Sequence, residues 1–180
     1  MKFLIVFVFG LLSWPVMEYL LHRFLGHVLK LNTEFKKQHT RHHVESDYFA
    51  SNGLKVLAAI PVSLISFVLV SVISGSGVIG AAYTLGFILM YGVYEWAHWS
   101  FHHRAPKTRI GLKLRKHHFT HHFHNSKMNH GVTSRLLDLI FGTCIELPTV
   151  KVPKKFMLSW LLGADKFNIN EKFSKDFQLK

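Results

Sequence analysis

Cysteine is almost missing from this sequence, and acids are few. Cys144 is the single thiol in 180 residues, so no intrachain disulfide and no cysteine-based metal site can form. Any metal here must be held by nitrogen or oxygen. Ten Asp and Glu stand against 22 Lys and Arg, a formal charge of +12. There is no internal repeat and no low-complexity segment. The length suits one domain over 1–180, large enough for a real core or for a few membrane spans.

Charge is also missing from three long stretches, which explains how a chain so basic can have a mean hydropathy of +0.19. Residues 3–21, "FLIVFVFGLLSWPVMEYLL", carry Glu18 as their only ionisable group. The run is about as long as a bilayer-spanning helix requires. A cleaved leader is the competing reading, since Lys2 resembles an n-region, but Trp14, Pro15, Glu18 and the lack of a small-residue cleavage site before "HRFLGH" favour a mature span as the expectation. Residues 54–74 and 78–97 form two further apolar runs around the "GSG" at 75–77, which reads as a transmembrane hairpin. The expected class is all-α integral membrane: three spans plus a helical, His-rich cap made of 22–53 and 98–180.

The cations favour one orientation. If the N-terminus and the 75–77 turn share one side, 21 of the 22 Lys and Arg lie on the other, leaving only Lys2. That bias puts the cap in the cytoplasm and makes the chain a multi-pass protein with its site at the cytoplasmic face. It also accounts for the charge through anionic headgroups, so nucleic acid is not expected as a partner. From Lys151 onward, Lys alternates with Phe156, Leu158, Trp160 and Leu161 over a run too short to span. A helix lying in the interface is expected there.

All fourteen histidines fall in two blocks, five from His22 to His43 and nine from His98 to His130. Each block begins where an expected span ends. The spacings repeat: His22 and His27; His39, His42 and His43; His98 and His102; His118, His121 and His122. On a helix, residues three or four apart share a face and can converge on one ion. Adjacent residues diverge by about 100°, so His42 and His43, or His121 and His122, should feed different metals. Ten imidazoles are enough for a dinuclear site. Imidazole suits Fe, Zn and Cu alike, so the ligand type does not name the metal. His103, His117, His124 and His130 fall outside the repeated spacing. His103 and His117 are candidates for support rather than ligation.

With these four boxes and "HGVTSRLLDLIFGT" at 130–143, the stretch from about Glu18 to Thr143 resembles the fatty acid hydroxylase superfamily of integral membrane oxygenases. The resemblance implies two Fe ions, with Zn a ready substitute in a structure. It also implies O2 as co-substrate and the hydroxylation of an unactivated C–H bond of a lipid, most readily a fatty acyl chain. The family usually carries two spans before the first His box, where this chain has one. These 180 residues hold no cytochrome b5-type segment, so a separate electron-donor protein is expected. An aliphatic C–H offers nothing to polarise, so the cofactor must do the hard step while the protein positions the chain and excludes water.

Glu18 precedes His22 by four residues and Glu95 precedes His98 by three. Each is placed to accept the second N–H of a ligating imidazole. Asp138 can support a ligand or pair with Arg135. Three other functions fit parts of the pattern: a carotenoid ring hydroxylase, a lipid or sterol desaturase, and a non-enzymatic membrane metal-binding protein. The last would need a polar path through the spans, and Glu18 and Glu95 alone do not provide one.

Overall fold

A computed structural model describes residues 1–180. It is mostly helical. Helix α1 (Lys2–Leu20) runs directly into a π-helical segment, Leu21–Val28. Then follow α2 (Glu34–Val44), α3 (Asn52–Ser74), α4 (Gly77–His103), α5 (Arg109–Phe123) and the short α6 (Leu136–Ile140). The class is therefore not purely α. β1 (Val150–Val152) and β2 (Phe177–Leu179) pair in parallel, with Val150 opposite Phe177.

Three helices are long and apolar enough to cross a membrane: Lys2–Val28, Asn52–Ser74 and Gly77–His103. They contain the three apolar runs, the first prolonged by the π-helical segment and the third by a His-bearing end. Local signals set the hairpin. Ser51 caps α3 by accepting the Leu54 N–H at 3.4 Å, and Gly75 ends it in the left-handed region at φ 65°, where glycine meets no Cβ penalty.

The chain forms two compact units. In the first, residues 1–17 and 49–96, glycine sets the helix spacing. A Cβ on Gly10 would lie 2.0 Å from the Tyr83 carbonyl oxygen, and one on Gly86 2.1 Å from that of Phe7. Small residues permit such approach between apolar helices. Trp14 fills the adjoining space against Phe87, Tyr91 and Tyr94. Helix α3 buries no residue, and Leu57, Leu64, Val72 and Ile73 are mostly exposed, a surface suited to lipid.

The second unit, residues 18–48 and 97–180, holds every histidine. Its core is partly built by the C-terminal segment, which is not the expected interfacial helix. Val150, Val152, Leu158, Leu161, Phe173 and Phe177 are buried on short strands and single 3-10 turns. Trp160 and Phe177 pack on Phe119 of α5. The apolar side chains face a core available in their own chain, and burying them there removes more area from water than an interface would. Arg115 fastens the end of α4 to α5. Its guanidinium donates to the carbonyls of Ser100, Arg104 and Gly111, each at 3.1 Å. Burial lowers its pKa to about 10.

Candidate metal centre

The π-helical segment is the first device of the site. His22 and His27 are five residues apart, which an α-helix would separate by about 140°. The wider π turn brings their ring centroids to 5.2 Å, a use typical of π segments. On α2 and α5 ordinary helical spacing suffices. Thr33 and Thr108 start these helices by accepting the N–H of Lys36 and Gly111.

The structure gathers ten histidines into two groups of five. One group is His22, His27, His39, His43 and His121; the other is His42, His98, His102, His118 and His122. In each, one nitrogen per ring lies within 4.8 Å of all the others. Adjacent residues do part company: His42 and His43 go to different groups, as do His121 and His122. Across the two groups the rings of His43 and His122 stack at 4.2 Å.

The nitrogens fit a cation. Nε2 of His39 lies 2.8 Å from Nε2 of His27 and 3.1 Å from that of His43, which is 3.1 Å from Nε2 of His121. His102 and His118 approach through Nε2 at 2.8 Å. Nitrogens bound at ~2.1 Å to one ion would stand about 3 Å apart when adjacent and about 4.2 Å apart when opposed. The observed separations have that scale. Nε2 of His22 and both ring nitrogens of His122 are buried with no hydrogen-bond partner. Such orphans cost about 1–3 kcal/mol each, and an ion at the centre of each group would satisfy Nε2 of His22 and one of the two nitrogens of His122. Either group could hold a metal ion.

Tautomers follow from the partners. A carbonyl only accepts, so Nδ1–H of His22 donates to His130 O, that of His42 to Tyr48 O, and that of His121 to Met128 O. Each Nε2 then presents a lone pair. Burial first, and then neighbouring imidazoles, lower the pKa of His39, His118, His121 and His122 well below the ordinary value and that of His43 to about 3. These rings are neutral, the form that binds metal.

Two carboxylates hold the loop that supplies two of these carbonyls, those of Met128 and His130. Asp138 is fully buried. It accepts from the N–H groups of His130 and Gly131 at 2.8 Å, from Thr143 Oγ1 at 2.7 Å and from His117 Nε2 at 2.9 Å. His117 is thus tied to Asp138. Arg135 pairs with Glu146 and donates to Cys144 Sγ rather than pairing with Asp138. Glu18 accepts from the N–H groups of Val132 and Thr133 and from Thr133 Oγ1, fastening the loop instead of a histidine ring. Glu95 is ion-paired with Lys55 at 2.6 Å. His103 belongs to neither group of five; its ring stacks on Trp99.

Sequence reasoning missed Met128 and Tyr48, and for His130 it left a supporting role open without its means; all three act through backbone carbonyls that no side-chain pattern reveals. It also missed Asn129, held at φ 58°, whose side chain bridges His117 O and Ile145. A cleft of about 370 Å³ opens onto both groups, lined by His27, His39, His43 and His122 together with Thr40 and Asn125.

A family model described as fatty acid hydroxylase matches residues 7–143. A dihydroceramide fatty acyl 2-hydroxylase of Arabidopsis thaliana is 29% identical over 84% of this chain and 64% of its own length. A second such protein of that plant is 31% identical, over 83% of this chain and 63% of its own length. A fatty acid 2-hydroxylase of Rattus norvegicus is 29% identical over 79% of this chain and 40% of its own. The chain thus spans under two thirds of the length of these relatives. Among solved structures, full-length scs7p, with only its hydroxylase domain visible, superposes with a TM-score of 0.64 at 26% identity, covering 79% of this chain and 56% of that one.

Proposed function

This chain belongs to the fatty acid hydroxylase family, and on that premise we propose that it hydroxylates an unactivated C–H bond of a lipid acyl chain with O2. The relatives named as fatty acyl 2-hydroxylases support this substrate class. The observation that carries the reading is the pair of five-histidine groups. We assign the ten histidines as ligands of two iron ions, and residues 1–180 as one membrane-embedded hydroxylase domain. Bound there, the metal pair would supply the oxidant that a C–H bond demands.

The chain's own residues hold and position. The neutral imidazoles present lone pairs without first losing a proton. The loop 128–133, tied by Asp138 and Glu18, keeps His22 and His121 in the correct tautomer. One oxygen atom ends in the product and the other leaves as water, consuming two electrons and two protons. A separate protein donates the electrons. The excess of Lys and Arg on the His-bearing side supports a site at the cytoplasmic face.

Mass spectrometry of total lipids from cells expressing the wild type or His121→Ala tests the reading. A lipid gaining one oxygen with the wild type alone is expected. Loss of two hydrogens would move the chain to desaturation. No change in any lipid, in a host that also makes carotenoids, would overturn the proposal.

A further inference from the structure

We propose that residues 136–141 are a membrane-immersed lip of the second unit, with the apolar face of α6 seated among lipid acyl chains. The inference rests on the membrane-protein reading above and not on hydroxylation itself. Leu136, Leu139, Ile140 and Phe141 are each 53–63% exposed. Leu136, Leu139 and Ile140 are three and four residues apart and share one helical face, while Asp138 points the other way and is buried. Four adjacent large apolar side chains left open on one short turn mark an interaction surface.

Lipid is the occupant that its surroundings favour. Phe141 stacks on Tyr19 with centroids 5.4 Å apart and planes at 14°. Tyr19 belongs to the helix that continues into the π segment, where Leu20 and Phe24 are also exposed. The α6 turn thus packs, through Phe141 and the buried Tyr19, on the stretch of chain that carries the exposed Leu20 and Phe24. Arg23 lies over the Phe141 ring at 5.9 Å and donates to Tyr19 OH at 2.7 Å. A guanidinium beside an apolar face is the arrangement of a helix lying in an interface, where the cation meets lipid phosphate. Through Asp138 and Thr143, whose hydroxyl is 2.9 Å from Tyr19 OH, the same turn holds the loop that orients His22. The bilayer would then brace one wall of the first histidine group.

Spin labelling of the full chain in phosphatidylcholine–phosphatidylglycerol vesicles tests this without turnover. A nitroxide is placed at Leu139→Cys or Leu136→Cys in a Cys144→Ser background, and at Phe167→Cys as a comparison. Phe167 is a still more open apolar residue of the same unit, outside the Tyr19–Phe141 stack. Collision rates with O2 and with a water-soluble nickel chelate are compared, and bound metal reports folding. The O2-to-nickel ratio is expected to be severalfold higher at 139 and 136 than at 167. Equal ratios would place the face in water, and shielding from both reagents would assign it to a protein contact; either result overturns the proposal. Since no lipid oxidation is read, failure here is distinct from failure of the hydroxylase reading.

Discussion

Asp138 accepts four hydrogen bonds in a fully buried position, and its charge explains how. Burial alone would raise its pKa, but the donors His117, Gly131, Thr143 and His130 outweigh burial and hold the carboxyl below its ordinary range. Asp138→Asn keeps the volume but turns an N–H2 toward donors. We expect a loss of about 3 kcal/mol, the scale of a broken buried pair, seen as a lower thermal midpoint. Metal should also fall in the group containing His22, whose Nδ1–H partner is His130 O; unchanged melting and metal content would remove Asp138 from this role. The imidazoles make an opposite demand on pH. An unfolded chain takes up protons on histidine as pH falls through about 6.5, whereas folded His43 does so only near 3. Between those values the unfolded state binds more protons. Stability is therefore full above about pH 6.5 and is lost progressively below it. Metal-stripped protein should melt lower at pH 5 than at pH 7.5, with little change from 7.5 to 8.5; a flat profile down to pH 5 would show that these rings are not held neutral.

At the scale of elements, spacing that follows 3.6 residues per turn is legible in the sequence and spacing that departs from it is not. The pairs His39 and His43, His98 and His102, and His118 and His122 lie on α-helices, and their spacing alone places each pair on a shared face. His22 and His27 are legible as a pair, yet nothing in "HRFLGH" announces a π turn. Gly26 sits inside that turn, and a Cβ there would lie 3.1 Å from Cδ2 and 3.3 Å from Nε2 of His39. Gly26→Ala should push the His39 ring by a few tenths of an ångström, away from the place where its Nε2 meets those of His27 and His43. We expect metal affinity of that group to fall about tenfold, within the range of changes that disturb ligand orientation. Metal titration should show the group containing His98 unaffected; equal weakening of both would point to a general loss of fold. The C-terminal segment departs from the expected interfacial helix for a different reason. Its Leu and Phe residues fit an interface or a core equally well by composition, and only the position of Phe119 and Trp160 decides for the core.

Over the whole molecule, α2 and α5 are shared between the two groups in opposite senses. Helix α2 gives His39 and His43 to the first group and His42 to the second; α5 gives His118 and His122 to the second and His121 to the first. Moving either helix would therefore disturb both groups at once, and the rings of His43 and His122 touch across the boundary between them. The divergence of neighbouring histidines foreshadows this interlocking, but not the loop 128–133 that braces it, because that loop works through peptide groups. The sharing predicts how single replacements behave. His121→Ala removes one nitrogen from the first group, and His118→Ala removes one from the second; each leaves the helix in place, since Ala is a good helix former. Metal content per chain should fall from two toward one in both variants, with affinity lowered at least ~100-fold at the altered group. On the proposed two-ion centre, product should be lost in both. A variant that keeps both ions and full hydroxylation would show that its histidine is not a ligand. A variant that loses one ion and stays active would show that the two groups work separately.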